Sequence, residues 1–172
     1  DSHADDLTEA RVGLEYAWYT SVPASVPDEI ARRRAWHEAG HMNPWAVIDQ
    51  RTGRAVGMTT FCNIDQENRH VEIGYTWLGV SAQRSPVNTA AKLLLLGHAF
   101  GDCAAIAVEF RTHWHNSQSR AAIQRLGAKL DGVLRNHAIG PDGSMRDTVV
   151  YSILPHEWPA VRLGLAARLS RR

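Results

Sequence analysis

Residues 70–100 read HVEIGYTWLGVSAQRSPVNTAAKLLLLGHAF, and they join the clearest strand pattern of the chain to its most apolar helix pattern. Side chains on a strand alternate between its two faces. The alternation predicts one face with Val71, Ile73, Tyr75 and Trp77 and the other with Glu72, Gly74, Thr76 and Leu78. After a short turn, the four leucines at 93–96 lie in a segment that is apolar on all sides, which predicts a buried helix.

The remaining segments supply further helices and strands in a definite order. Helical patterns cover 3–21, closed by the prolines of 23–27, and 28–40, where Asp28 is the expected cap. Strand patterns follow at 44–50 and 54–64, before the stretch quoted above. After that stretch come an apolar strand, a helix, a two-strand hairpin and a last helix, at 104–114, 116–127, 132–139, 145–154 and 157–169. This order predicts one α/β domain over residues 1–172, with a mixed sheet packed by helices.

Composition and charge exclude several classes of protein. The chain has 172 residues and a formal net charge of +1, so no strong field draws it to nucleic acid or to a membrane. No apolar run approaches the roughly 18 residues of a membrane span. Cys62 and Cys103 form no disulfide framework, so a reduced, cytoplasmic setting is expected. Because the sequence opens at Asp1 rather than at a methionine, we expect the domain to be incomplete at its N terminus.

The turn before the leucine helix lies where α/β sheets often place anionic ligands. An anion there binds main-chain N–H groups, and Pro86 lacks one. Proline is nevertheless favoured as the first helical residue, since the N–H that it lacks would be unpaired there. With Ser85 as the cap, the N–H groups of Val87, Asn88 and Thr89 would point at a ligand. An ordinary helix start after an ordinary loop is the alternative interpretation.

Three segments, 71–100, 110–137 and 146–153, together resemble the GNAT superfamily of N-acetyltransferases. The resemblance is greatest to the ribosomal-protein alanine acetyltransferases, the RimJ/RimL-like branch. The phosphate motif of the superfamily reads Q/R-x-x-G-x-G/A; Gln83 matches it, while Pro86 and Asn88 occupy the two glycine places. The spelling is closer to a sub-branch with Q-R-T-x-x-N-T-x-x-K, with Ser85 in place of the threonine. The similarity runs from about Glu9 to the C terminus.

The resemblance implies a mostly antiparallel sheet whose usual first strand is expected to be absent or trimmed here. It also implies acyl transfer from acetyl-CoA, bound as a co-substrate, to a primary amine by direct attack in a ternary complex, without a metal. The amine would belong to a protein N terminus or to a small molecule, and a homodimer is compatible with the family. Leu78 and Val80 correspond to a splayed strand end that binds the pantetheine arm. The other residues that correspond to coenzyme contacts are Arg84, Ser85, Val87, Asn88, Thr89 and Asn116.

The same resemblance singles out two acid–base candidates. Glu72 lies eleven residues before the glutamine of the phosphate motif, where the histone-modifying branch of the family places its general base. It would take the amine proton directly or through a water; a structural ion pair with Arg69 or Arg111 is the alternative. Asn116 and Ser119 match an N-x-x-S pattern at a helix start, and Ser119 would return a proton to the leaving thiolate. The alternatives are a plain helix cap and an ordinary first-turn residue.

A zinc-peptidase signature competes with this interpretation. Residues 37–41 read HEAGH and match H-E-x-x-H through His37, Glu38 and His41. Gly40 lies inside the motif and an Asn-Pro pair ends the helix soon after it, whereas a zinc peptidase needs a sustained helix and a third ligand. We therefore interpret the match as chance.

Two further alternatives remain open at this point. His113 and His115 project from one side of a strand end, and a histidine pair without a third ligand is typical of polar pocket lining. The chain is also compatible with a binding module, in which the same fold binds coenzyme A or a protein partner without catalysis.

Overall fold

The computed structural model describes residues 2–19 and 21–171 of the chain. The helices are α1 Ala4–Arg11, α2 Val26–Glu38, α3 Val87–Gly97, α4 Ser117–Leu126 and α5 Trp158–Ser170. The strands are β1 Met42–Asp49, β2 Arg54–Asp65, β3 His70–Leu78, β4 Ala107–His113, β5 Lys129–Ile139 and β6 Met145–Ile153. This succession confirms the predicted order of helices and strands. None of the helices in the described ranges is long and apolar enough to cross a membrane.

The strands form one sheet in the order β1-β2-β3-β4-β6-β5. Neighbouring strands are antiparallel except β3 and β4, which are parallel, so the mixed, mostly antiparallel sheet is confirmed. The parallel pairing is short: it runs from His70 with Ala107 to Glu72 with Glu109. Beyond that point the two strands separate, and the sheet opens into a fork whose arms are residues 73–78 of β3 and residues 110–113 of β4.

A β-bulge in β3 reverses the predicted facing of its second half. Tyr75 and Thr76 together lie opposite the single residue Thr59, and Tyr75 takes a left-handed φ of 48°. Thr76 consequently faces α3, on the other side of the sheet from Glu72, and Leu78 follows it two residues later. The prediction that Glu72 shares a face with Thr76 and Leu78 is therefore wrong, because strict alternation does not survive an inserted residue.

The bulge also divides the apolar side chains of β3 between two clusters. The larger cluster lies between the sheet and helices α3, α4 and α5, and Ile73 belongs to it. The smaller lies between the sheet and helices α1 and α2, and Trp77 belongs to it. Tyr75 likewise contacts α2, through an edge-to-face contact with Trp36. The prediction that Val71, Ile73, Tyr75 and Trp77 form one face thus holds only before the bulge.

The first two helices differ from their predicted ends. Helix α1 ends at Arg11 instead of continuing to residue 21, because Val12 is extended and Gly13 takes a left-handed φ of 77°. Residue 20 of that predicted helix lies outside the described residues. Helix α2 begins at Val26, and its cap is Ser25 rather than Asp28: the Ser25 hydroxyl oxygen accepts the Asp28 N–H at 3.2 Å.

Candidate active site

Glu72 lies at the closed end of the fork, in the last residue pair that joins β3 to β4. Its side chain is only 9% exposed. Asn63 Nδ2 donates to the Glu72 carboxylate at 2.7 Å, and Arg111 Nε lies 3.5 Å from the same oxygen. Burial raises the pKa of Glu72, while the Asn63 hydrogen bond and the Arg111 charge offset part of that effect. A carboxylate with a raised pKa is a better proton acceptor near neutral pH than a solvated one.

Arg111 holds two carboxylates on this face of the fork. Its Nε and Nη2 donate to Glu109 Oε2 at 3.0 and 2.8 Å, and its Nε makes the longer contact with Glu72. The ion pair that the sequence offered as an alternative to catalysis therefore exists with Arg111; among the described residues no such pair joins Glu72 to Arg69. The Arg111 guanidinium binds Glu109 more closely than Glu72, so the longer ion pair with Glu72 is compatible with a general-base role for that carboxylate. The role of Glu72 as the base stays a prediction.

The open arm of β3 ends at Leu78, and Val80 begins a single turn of 3-10 helix, Val80–Ala82. Val80 is 57% exposed. Between them, Gly79 lies against α1 so closely that a Cβ there would come within 2.6 Å of the Ala10 carbonyl oxygen. Arg84 then turns the main chain with a left-handed φ of 59°. Leu78 and Val80 thus border the open side of the fork, and their contact with a pantetheine arm stays a prediction.

Helix α3 begins at Val87, one residue later than predicted, with Pro86 in the cap position. Ser85 still acts as a cap, because its hydroxyl oxygen accepts the Val87 N–H at 3.3 Å. The Val87 donor is therefore already engaged, which corrects the expectation of three free N–H groups. Within the described ranges nothing accepts the N–H of Asn88 or Thr89, and these two remain available to an anion.

The N terminus of α4 lies at the end of the other arm of the fork. Asn116 Oδ1 accepts the Ser119 N–H at 2.9 Å, so Asn116 is a helix cap. Its main-chain N–H donates to the last residue of β4, His113, at 3.0 Å. Ser119 is half-buried, and its hydroxyl has no hydrogen-bond partner among the residues that the structure describes. The helix dipole at this end favours negative charge, as a proton donor to a leaving thiolate requires.

Two buried basic side chains hold the bulge of β3 from opposite faces. Neither was predicted as a site residue, although Lys92 is the lysine of the sub-branch motif. Arg33 of α2 donates to the Tyr75 carbonyl oxygen at 2.8 Å and pairs with Glu29 at 2.6 Å. From the other face, Lys92 of α3 donates to Thr76 Oγ1 at 2.9 Å. Burial lowers the pKa of Lys92 to about 7. A lysine inside an otherwise apolar helix was the available signal for Lys92; Arg33 lies in a run of three arginines that gives none.

The connection between α1 and α2 crosses the open end of the fork. The Trp18 ring packs on the His113 ring, with centroids 4.8 Å apart. The main-chain carbonyl oxygen of Trp18 accepts a hydrogen bond from Arg146 Nη1 at 2.9 Å. The charge of Arg146 also acts on the closed end of the fork, since it offsets a small part of the rise that burial causes in the pKa of Glu72. Burial, followed by the charge of Arg146, lowers the pKa of His113 itself. The ring centroids of His113 and His115 lie 5.6 Å apart, and their role as pocket lining stays a prediction.

The zinc-peptidase alternative lacks the required geometry. Helix α2 ends at Glu38, and Gly40, with φ 77°, turns the chain before His41, so the two histidines do not share a helix face. His37 Nδ1 is engaged by the Met42 carbonyl oxygen at 3.0 Å. In the described part of the chain, no three histidine, cysteine or acidic side chains come together as metal ligands.

Known proteins are similar to this chain in sequence and in fold. Residues 1–129 match the family model described as acetyltransferase (GNAT) domain. A Bacillus subtilis (strain 168) protein named "Putative ribosomal N-acetyltransferase YdaF" is 34% identical over 106 residues, 62% of this chain and 57% of that protein. A Bacillus licheniformis protein named "Uncharacterized N-acetyltransferase p20" is 27% identical over 119 residues, 69% of this chain and 66% of that protein. The aligned region thus spans less than two thirds of the length of each of these relatives.

Comparison with solved structures also matches the chain to N-acetyltransferases. The crystal structure of a GCN5-related N-acetyltransferase from Brucella melitensis matches with a TM-score of 0.87 and 28% identity, covering 96% of this chain and 77% of that chain. The name of the Bacillus subtilis relative agrees with the ribosomal branch that the sequence indicated. The predicted resemblance is confirmed, and this chain belongs to the GNAT acetyltransferase family.

Proposed function

We propose that this protein transfers an acetyl group from acetyl-CoA to a primary amine, with the fork between β3 and β4 as the reaction site. The observation that carries the proposal is the buried carboxylate of Glu72 at the closed end of the fork. The separated arms offer main-chain groups with which an extended pantetheine chain can pair, as a further strand would. Family membership supports the reaction class.

The proposed reaction needs a neutral amine, a polarised thioester carbonyl and a proton for the departing thiolate. Glu72 takes the amine proton, directly or through a water, as the nitrogen bonds to the thioester carbon. A main-chain N–H on the β3 arm stabilises the oxyanion that forms. When the carbon–sulfur bond breaks, the thiolate leaves beside the N terminus of α4 and takes a proton from the Ser119 hydroxyl, which regains one from solvent. The proton on Glu72 returns to solvent when the product leaves.

The coenzyme would be held at both arms of the fork. Its pantetheine arm lies along Leu78 and Val80, and its diphosphate lies at the N terminus of α3. The free N–H groups of Asn88 and Thr89 support that placement, since an anion at a helix N terminus needs such donors. The other contacts that we assign to the coenzyme come from Arg84, Ser85, Val87 and Asn116.

The acceptor would enter from the face of α2, because the Glu72 carboxylate lies on that face and Thr76 faces α3 on the other. A cavity of about 40 Å³ on this face is lined by residues that include Tyr19, Arg33 and Tyr75. Three arginines, Arg11, Arg32 and Arg33, line this cavity with one carboxylate, Glu29. We therefore expect a single amine, such as a peptide N terminus, to be preferred to a polyamine. A ribosomal-protein N terminus is the first acceptor to test, because the Bacillus subtilis relative is named for ribosomal acetylation.

The deciding experiment compares Glu72→Gln with Glu109→Gln, a neighbouring carboxylate on the same face that also binds Arg111. Acetylated peptide is measured by mass spectrometry, and acetyl-CoA binding by the rise in thermal midpoint. Loss of a general base should lower turnover by about 10² to 10⁴ in Glu72→Gln, with acetyl-CoA binding retained. Glu109→Gln should change turnover far less.

Two results would count against the proposal. Unchanged turnover in Glu72→Gln would make Glu72 a structural carboxylate and place the base elsewhere. If the unaltered protein binds acetyl-CoA but acetylates no peptide or small amine in a broad panel, the fold is a binding module.

A further inference from the structure

A second cluster of reactive side chains lies at the opposite end of β4 from the fork. It consists of His98, Asp102 and Cys103, in the turn between α3 and β4. Cys103 Sγ lies 3.5 Å from His98 Nε2, and His98 Nδ1 lies 2.8 Å from Asp102 Oδ2. All three side chains are exposed to solvent. A nucleophile, a base and a group that orients the base therefore stand in hydrogen-bonding order.

An unusual turn brings these residues together. After α3 the chain makes a π-helical turn, His98–Asp102, in which the Cys103 N–H donates to the His98 carbonyl oxygen at 3.1 Å. This wider turn places the residue five positions on back over its start, which an α-helix does not do. The imidazole of His98 is held on its other side by stacking on Phe61, with centroids 6.1 Å apart and an interplanar angle of 21°.

The hydrogen bonds determine what His98 can do. The Asp102 carboxylate can only accept, so Nδ1 of a neutral His98 carries the proton that it donates. The lone pair then lies on Nε2, which faces the Cys103 thiol. In this arrangement His98 can take the thiol proton and leave a thiolate at the surface. Thiolates rather than thiols are the reactive species of cysteine.

We propose that Cys103 is a site of thiol–disulfide exchange, which takes up low-molecular-weight disulfides as a mixed disulfide. The Cys103 thiolate attacks one sulfur of the disulfide, and the old S–S bond breaks as the new one forms. The other half leaves as a thiolate and takes the proton from the His98 imidazolium. Cys103 is oxidised and the departing half is reduced to a thiol, so the disulfide is the only oxidant required.

The surroundings of Cys103 suit a small, flexible reagent. Cys103 is exposed, and a Cβ added at Gly101, two residues before it, would meet nothing within 4 Å, so this turn is open to solvent. The other cysteine provides the contrast within the same chain: Cys62 is 3% exposed, and burial raises its pKa. Cys62 should therefore not react while the protein is folded.

The test treats the reduced, folded protein with glutathione disulfide near neutral pH and follows the adduct by mass spectrometry. We expect one adduct, on Cys103, in both the unaltered protein and Cys62→Ser. His98→Gln should slow its formation by at least about tenfold, and Asp102→Asn by less, since it removes only the orienting carboxylate. Cys103→Ser should take up nothing and should keep the unaltered acetyl transfer to peptide, because the cluster is separate from the fork.

The comparison with unfolded protein needs no variant. In denaturant Cys103 loses His98, so its rate of exchange at the same pH should fall below that of the folded state. Equal rates for the unaltered protein, His98→Gln and Asp102→Asn, each with an unchanged thermal midpoint, would overturn the proposal. Reaction at Cys62 instead of Cys103, or loss of acetyl transfer in Cys103→Ser, would overturn it as well.

Discussion

Replacing Lys92 with methionine is expected to stabilise the fold at neutral pH. The amine is buried, and in the described part of the chain its hydrogen bonds go to two hydroxyl groups, Thr76 Oγ1 at 2.9 Å and Thr59 Oγ1 at 3.3 Å, with no carboxylate nearby. Burial lowers its pKa from the ordinary 10.5 to about 7. Because one pKa unit corresponds to about 1.4 kcal/mol, protonated Lys92 costs the fold about 5 kcal/mol relative to the neutral amine.

The sign of the pH dependence follows from which state holds the proton. The unfolded chain keeps Lys92 protonated up to about pH 10.5, whereas the folded protein releases that proton near pH 7. Between these values the unfolded state binds more protons, so Lys92 makes the free energy of unfolding rise with pH by up to about 1.4 kcal/mol per unit. Below about pH 7 both states are protonated, the slope from Lys92 vanishes and the full cost remains.

Methionine at position 92 removes this titration and leaves the two threonine hydroxyls as the only former partners of the amine in the described part of the chain. The hydroxyls of Thr59 and Thr76 lie 2.8 Å apart, so they still satisfy each other when the amine is gone. Replacement of buried charges by apolar groups of similar volume often gains about 1–4 kcal/mol, and we expect a gain in that range for Lys92→Met at pH 7.

The assay is urea unfolding at about pH 7, 8 and 9, with Lys129→Met as the matched control. Lys129, the other lysine of the sequence, is 74% exposed and pairs with Glu157 at 2.6 Å. Its loss should cost no more than about 1 kcal/mol and leave the pH slope of the unaltered protein in place. If Lys92→Met lowers the free energy of unfolding at pH 7, or keeps the original slope, the buried amine is compensated and the reasoning is refuted.

Three further outcomes follow from the site and the helix ends. Gly74→Ala would place a Cβ 2.8 Å from Glu72 Oε1, so the carboxylate must move, and turnover should fall while the thermal shift with acetyl-CoA persists. Ser119→Ala should lower turnover by about tenfold or more without weakening acetyl-CoA binding, and equal turnover would remove Ser119 from the mechanism. Ser25→Ala should cost about 1 kcal/mol in urea unfolding, since it removes the cap of α2; no change would assign the cap to Asp28.

The order of the helices and strands was predictable because it follows from the periodicity of the apolar residues and from the glycine and proline residues at the ends of segments. The alternation of residues 70–78 and the leucines of α3 gave the strand and the helix of the site, and Gly127, with a left-handed φ of 103°, marked the end of α4. The early end of α1 also had a signal in Gly13, but the apolar residues beyond it continued a helical pattern.

The bulge at Tyr75 was not predictable in the same way. A single residue with a positive φ leaves the composition and the period of β3 almost unchanged, yet it transfers Thr76 and Trp77 to the opposite faces. The hydrogen bonds from Arg33 to the Tyr75 carbonyl and from Lys92 to Thr76 depend on that bulge, so they could not be predicted without it. The cluster around Cys103 likewise arises from one wide turn of helix.

The short parallel pairing between β3 and β4 affects local opening of the sheet. Strands β1–β3 and β4–β6 are half-sheets joined at three residue pairs, and main-chain groups along 73–78 and 110–113 face each other without bonding. Amide protons on the facing edges of these arms should exchange with solvent far faster than those between β2 and β3. A coenzyme threaded between the arms would slow that exchange and make the two half-sheets open as one cooperative unit.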